Sequence, residues 1–532
     1  MDTSGEHRFS RARPIVPKPN SVVNASLLGA ACPQLKVPVA GSPVYSNVTD
    51  ISEDCPTLII CLSWFGYMGV GVVNVDSNRR LTLISVTTGG ESVGQIYDKA
   101  YNPAGLVLNA KKNGTPIIYA AMNYRLNMFG FADLPSLRQE GSLNSALHGQ
   151  RLALEWIQHN IMHFGGEPNQ VAIFGDHKRW TPIKTAYDGS GRAPFQKAII
   201  ESGSPAADGG GETIESQAYA ELDTSAISTV ASNYSAISSS AVAFAVNCSR
   251  SNFTWSDVLS CLRALTMEEL LVATLSYALE VNDLAFQTFI PVVDGFFIPA
   301  PPSVLVKSGA FYRNVPIIVA WNEDEGSFFA PVNMTTESDI ETSLLQAFPL
   351  LTQATYFRAS MLYRDMKFAC PCIDLAHAVM KYGSTAFVYD LNQTVFALAL
   401  QQSMLSYLGV LHFSDVPYVF NQVNEYVGTN TSTPYALDNL ALAFKVSGSW
   451  AAFASTGNPA SATTFSDWQE GFDCVSRNSL SQASATIRIS GGPEDGVTTV
   501  RKCDTDRPLG MAMILNRCAF INRPDVYEEL RT

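Results

Sequence analysis

Apolar positions along this chain fall into two patterns: short continuous runs bounded by turn residues, and longer stretches with spacings of three and four. Val171-Ala172-Ile173-Phe174-Gly175 is a short, partly β-branched run and predicts a buried strand. Before it, Gln150 to Phe164 predicts an amphipathic helix with Ala153, Trp156, Ile157, Ile161 and Phe164 on one face. Pro116 to Met122, Ala198 to Ile200, Val315 to Ala320 and Ala386 to Tyr389 are further apolar runs between turn signals, with helical stretches between several of them. Strands alternating with helices predict an α/β fold with a mostly parallel central sheet and helices on both faces. Residues 1–55 are rich in Pro, Ser and Asn and read as loop. Residues 210–290 are Ser/Ala-rich and polar and predict a helical insertion over the sheet edge, the usual place for a lid or pocket wall. No internal repeat is present.

Composition narrows the function classes. The 532 residues are 46% hydrophobic, too apolar for a disordered chain. A net charge of −13 without a basic stripe argues against nucleic acid and anionic membranes as partners. No apolar run approaches the roughly 18–20 residues that span a bilayer. Cys32 and Cys55 bracket one short stretch and Cys248 and Cys261 another, which suggests two pairs. Nine N-x-[ST] triplets begin at Asn24, Asn47, Asn113, Asn233, Asn247, Asn252, Asn333, Asn392 and Asn430. Composition alone would give roughly half as many. Both features favour an oxidising, glycosylating route and a secreted protein. Met1 to Arg13 is polar and holds no apolar signal core. That points either to an intracellular protein or to a true start upstream, and the second is the expectation adopted.

Several segments, taken in order, resemble the type-B carboxylesterase/lipase family of the α/β-hydrolase fold, which includes cholinesterases and secreted fungal lipases. Ala31-Cys32-Pro33-Gln34 with Ser52-Glu53-Asp54-Cys55 is similar to its first disulfide loop. Asn123-Tyr124-Arg125-Leu126 with Phe129-Gly130-Phe131 resembles the strand and turn after its oxyanion loop. Gln150 to Trp156, then Asn160-Ile161 and Phe164 to Pro168, resembles its long signature. Trp321 to Gly326 resembles the catalytic-acid turn, Leu411 to Phe420 the histidine segment, and Phe453 to Pro459 a late helix and turn. The resemblance implies a single α/β-hydrolase domain over 1–532 and ester cleavage through an acyl-enzyme. It implies no cofactor and a small-molecule or lipid ester as partner.

That chemistry needs a serine Oγ, an imidazole to take its proton, a carboxylate to orient the imidazole, and backbone N–H groups facing the oxyanion. The resemblance places the acid at Glu325 and the base at His412. Phe413 stands where the family usually has Gly. The nucleophile is missing from its expected place. After the Val171–Phe174 strand the family has G-x-S-x-G, whereas this chain has Gly175-Asp176-His177-Lys178-Arg179-Trp180. His177 occupies the serine position. Bulky neighbours fit poorly in a strained elbow that needs small ones. The family pattern resumes at Thr185 about three residues early.

One G-x-S-x-G does occur, at Gly90-Glu91-Ser92-Val93-Gly94, which makes Ser92 an alternative nucleophile. Its surroundings instead match the spacing of the family's oxyanion loop. On that register Gly89 and Gly90, with Lys178, supply the N–H donors, and Glu91 would repel an oxyanion if it pointed inward. An elbow serine should also open a helix, and Tyr101-Asn102-Pro103 argues against a long one there. Gly149 and Glu201 replace the Asp and Gln common in the family. Ser202 and Ser204 read as structural. Cys370-Pro371-Cys372 has no second pair at zinc spacing and His177 no HExxH partner, so no metal is expected and those cysteines read as free or singly paired thiols.

Three readings follow. Departures from the family cluster at the N-terminus, at 56–88 and at 176–184. Misplaced exon junctions produce such clustering, and a corrected transcript would then restore Ser after Phe174 in an active hydrolase. A pseudo-esterase that only binds is the second reading. The third is a non-hydrolytic enzyme using His412 and Glu325 as an acid/base pair.

Overall fold

The computed structural model describes residues 3–15, 20–22, 24–36, 48–62, 81–87, 90–175, 193–204, 234–281, 288–329, 338, 364–427, 431–472, 484–501 and 514–521. Nine strands form one sheet among these: β1 (Leu58–Leu62), β2 (Leu81–Thr87), β3 (Ile117–Met122), β4 (Gly166–Gly175), β5 (Lys197–Glu201), β6 (Ile317–Asn322), β7 (Ala386–Leu391), β8 (Ser484–Ser490) and β9 (Gly496–Arg501). Their spatial order is β1-β3-β2-β4-β5-β6-β7-β8-β9. β1 and β9 pair antiparallel at the two edges, and every pairing between β3 and β8 is parallel. This is the mostly parallel sheet of an α/β-hydrolase.

β3, β5, β6, β7 and the second half of β4 are buried on both faces because their apolar residues alternate between two cores. Val171 and Ile173 of β4, Ile317, Val319 and Trp321 of β6, and Ala386 and Val388 of β7 enter one core. Ala172 and Phe174, Ile318 and Ala320, and Phe387, Tyr389 and Leu391 enter the other. The principal helices are α1 (Ala104–Lys112), α2 (Ser145–Asn160), α3 (Tyr234–Ala245), α4 (Trp255–Ala264), α5 (Met267–Val281), α6 (Cys370–Lys381), α7 (Pro434–Thr456) and α8 (Ile514–Ile521). α2, α6 and α8 cover the first face; α1 and α7 cover the second.

Two expectations change in detail. β4 starts at Gly166, five residues before its apolar run. Its pairing with β2 shifts register between Leu81 and Leu83, and Gly166 to Gln170 stay partly exposed. The helix before it runs Ser145–Asn160, followed by a 3-10 turn at Ile161–Phe164. Its core-facing residues are Leu154, Ile157 and Ile161. Trp156 and Phe164 instead remain 44% and 37% exposed with ring centroids 6.4 Å apart, so the true buried stripe is narrower than the apolar set.

The described part of the 210–290 stretch is helical. α3, α4 and α5 pack against Leu126, Phe129 and Leu147 in a third core. Thr254 caps α4 in a reciprocal capping box with Asp257. Among the described residues three disulfides close loops: Cys32–Cys55, Cys248–Cys261 and Cys370–Cys518. The first two are the suggested pairs. The third settles Cys370 as paired and leaves Cys372 a buried thiol.

Candidate active site

β6 ends at Asn322, and the chain turns at once into a 3-10 helix that begins with Glu325. The turn holds the carboxylate in place. The Asn322 backbone N–H donates to Glu325 Oε2 at 2.5 Å, and Asn322 Nδ2 lies 3.4 Å from Oε1. A second loop carries His412 to this point. It is joined to the acid turn by Asp324 N–H to the Val410 carbonyl (3.1 Å), Val410 N–H to Asp324 Oδ2 (2.8 Å) and Ser327 Oγ to the Leu408 carbonyl (2.6 Å). His412 Nδ1 and Glu325 Oε1 are hydrogen-bonded, and both side chains are fully buried. A carboxylate on Nδ1 fixes the tautomer and leaves Nε2 as the reactive nitrogen.

Aromatic rings enclose the imidazole. Phe413 lies 4.1 Å from it between centroids, Phe368 5.7 Å and Phe328 6.2 Å. Phe413 takes φ of 74°, a left-handed conformation ordinary for glycine and costly for a bulky residue. The backbone shape that a glycine would allow is therefore kept with an aromatic side chain.

Acidic groups continue behind the pair. Asn322 Nδ2 also approaches Asp415 Oδ1 and Ser202 Oγ, each at 3.4 Å. Glu201, at the end of β5, accepts the Trp450 indole N–H at 2.6 Å. No cationic side chain among the described residues pairs with Glu201 or Asp415. Burial, with Asp415 nearby, holds the Glu201 carboxyl well above the ordinary range. Burial, with Glu325 nearby, pushes Asp415 up to about 7. Further out, Arg364 pairs with Glu323 and Asp365, and Arg517 of α8 pairs with Asp365. Cys372 Sγ donates to the Gly203 carbonyl at 3.1 Å, and burial raises its pKa.

Of the remaining residues singled out from the sequence, Gly90 and Ser92 lie in the loop after β2 and others lie outside the described residues. Thr87 pairs with Gly175, so the loop after β2 leaves beside the end of β4. In that loop Gln34 grips Gly94 by two hydrogen bonds of 2.8 Å, and Asn127 Nδ2 donates to the Ser92 carbonyl at 3.0 Å. The Gly90 carbonyl accepts from Tyr124 Oη at 2.8 Å. Ser92 is buried and opens no helix; the next helical turn starts at Lys99. Gly89, His177 and Lys178 lie outside the described residues.

Asn322, Asp415 and Trp450 were not picked out by the sequence reading. Asp415 carries a weak signal, three residues after His412 in the histidine segment.

The sequence pattern of the carboxylesterase family matches residues 3–355 and 351–484. This chain belongs to the carboxylesterase family. Among its relatives, the inactive carboxylesterase-like protein VdtD of Byssochlamys spectabilis is 34% identical, over 98% of this chain and 89% of that protein. A secreted lipase of Arthroderma benhamiae is 30% identical over 100% and 91%. The acetylcholinesterase of Bungarus fasciatus is 26% identical over 86% and 73%. No helix among the described residues is long and apolar enough to cross a membrane.

Proposed function

We propose that this member of the family binds an ester or related acyl compound, small-molecule or lipid, and forms no acyl-enzyme. The observation that carries this reading is the sequence after β4. Ester hydrolysis on this fold passes through a serine Oγ at a strand-to-helix turn. Here the strand ends at Gly175 and continues Asp176-His177-Lys178. An imidazole at 177 provides no stable acyl carrier of that kind, and loss of the serine costs on the order of 10⁶ in kcat in a serine hydrolase. The one G-x-S-x-G, around Ser92, sits in the loop after β2 and opens no helix. The likeness to a protein named as inactive supports the same reading. The ancestral roles, Glu325 as orienting acid, His412 as base, and Gly89, Gly90 and Lys178 as oxyanion donors, are then relics of hydrolysis. The three disulfides and the secreted relative support a secretory route.

The test is pre-steady-state mixing with p-nitrophenyl butyrate. No burst of p-nitrophenolate is expected, and a stoichiometric burst overturns the reading. So does a transcript encoding Ser in G-x-S-x-G after Phe174.

A second reading rests on the fully buried His412–Glu325 contact, which is fit for proton transfer in a cyclisation or elimination without a nucleophile. It requires that His412→Ala abolish product formation while ligand binding persists. Product formation by that variant removes it.

A further inference from the structure

Five of the nine N-x-[ST] triplets fall on described residues, and the fold separates them. Asn113 is partly buried where α1 ends. Its Nδ2, the atom that would carry a sugar, donates to Asn109 Oδ1 at 3.2 Å. That Nδ2 also lies only 2.8 Å from where a side chain on Gly448 would begin. Asn392 is partly buried, its Nδ2 only 3.2 Å from where a side chain on Gly492 would begin, and its triplet's Thr394 is buried with its hydroxyl accepting from Phe396 N–H and Ser414 Oγ. Asn24, Asn247 and Asn252 are exposed.

Asn247 and Asn252 share the short loop between α3 and α4. Asn247 follows the end of α3 in the left-handed conformation, with φ of 59°, which Asn tolerates better than most residues. Its backbone is tied down by Asn247 N–H to the Phe244 carbonyl (3.0 Å) and Cys248 N–H to the Ala243 carbonyl (2.8 Å). The side chain, by contrast, faces solvent. Asn252 lies in the next turn, closed by Phe253 N–H to the Arg250 carbonyl at 2.9 Å. The loop's base is locked by Cys248–Cys261, so a bulky group at either position leaves the core untouched.

An apolar surface adjoins the same corner. Phe244 is 57% and Val272 65% exposed. An open groove of about 500 Å³ is lined by Val246, Leu265, Glu268, Glu269 and Val272. Val246 is the residue before Asn247, so a sugar on Asn247 would stand at the groove's rim.

We propose that Asn247 and Asn252 are sites of N-linked glycosylation, and that the α3–α4 loop is the glycan-bearing corner of the helical layer. The donor is a lipid-diphosphate-linked oligosaccharide. Asn Nδ2 attacks the anomeric carbon; the new N–C bond replaces the C–O bond to the diphosphate. The lipid diphosphate leaves with the bonding electrons, and one Nδ2 proton is released. Addition precedes folding, because the folded chain engages the Thr254 hydroxyl of the second triplet in the α4 capping box; a sugar on Asn113 or Asn392 would then block native packing there, so the folded protein carries none at either.

The experiment is peptide mapping of the full chain purified from its source organism, with enzymatic release of N-glycans in H₂¹⁸O marking each occupied Asn. Heavy Asp is expected at 247 and 252, with 113 and 392 remaining unmodified Asn. Asn252→Gln is conservative and exposed, and Asn247→Asp removes the amide nitrogen while keeping a residue type that tolerates the left-handed backbone, so both should fold. Each should lower the intact mass by one oligosaccharide, while Asn113→Gln should lower it by none. Unmodified Asn at both 247 and 252, or an intact mass that neither variant reduces, overturns the proposal.

Discussion

Replacing Glu201 with Gln should raise stability at alkaline pH and leave it nearly unchanged in acid. Both Glu201 and Asp415 are buried, without a cationic partner among the described residues, and each is held above the ordinary carboxyl range. A group whose folded pKa is raised contributes stability below its unfolded pKa. That contribution drains away as pH rises toward the folded pKa. Each pH unit over which the folded chain keeps a proton that the unfolded chain has lost costs about 1.4 kcal/mol. Asp415 moves in the same direction, from 3.8 to about 7. The amide of the Glu201→Gln variant still accepts the Trp450 indole N–H but has no proton to lose, so it should gain about 1.4 kcal/mol for each pH unit above the ordinary carboxyl range over which folded Glu201 stays protonated, and close to nothing at pH 4. An unfolding entropy of about 2.1 cal/mol/K per residue gives roughly 1 °C in Tm per kcal/mol for a chain this long. Thermal unfolding of both proteins from pH 4 to 8.5 should therefore show a Tm gap that opens with rising pH, by about 1 °C per pH unit, in favour of Glu201→Gln. A constant gap, or a variant that loses stability at pH 8, would refute the argument that buried Glu201 holds its proton in the folded chain.

Other perturbations test the frame around the site. Cys370–Cys518 closes a loop across a sequence separation of 148 residues, so the Cys370→Ala/Cys518→Ala double variant should lose up to about 5 kcal/mol in denaturant unfolding, on the loop-entropy account. Unchanged stability would show that α8 is held by its packing and by Arg517 alone. At Phe413 both Ala and Gly variants should be destabilised by loss of a buried ring, by about 3–5 kcal/mol for Ala. Gly should be the better tolerated by about 1 kcal/mol, because φ of 74° suits it, and the reverse order by calorimetry would argue against strain there.

The sheet was legible because parallel strands are apolar on both faces and stand out as runs, as β4, β6 and β7 do. The edges were not. β1 lies in a stretch that matched no family segment, although Ala485, Ile487 and Ile489 of β8 alternate as a strand should. In α2 and the 3-10 turn after it, the exposed Trp156 and Phe164 looked like core because spacing cannot tell a covered apolar residue from an uncovered one. Glu325 and His412 were legible only through the order of family segments, since 87 residues separate them and no local pattern links them. The carboxyls behind them were harder still. Glu201 comes from a strand end, Asp415 from the histidine loop and Trp450 from a long helix, so their meeting is a property of the tertiary fold. Cys370 could not be assigned its partner Cys518 for the same reason.

The claim that this chain holds an imidazole–carboxylate pair without a working nucleophile is tested most directly by intact-mass measurement after incubation with a fluorophosphonate ester. Serine hydrolases take up one equivalent as a covalent adduct. The account predicts an unchanged mass at a concentration and time that fully modify a control esterase. A single adduct that maps to Ser92, or to any other serine, and disappears in His412→Ala would contradict it.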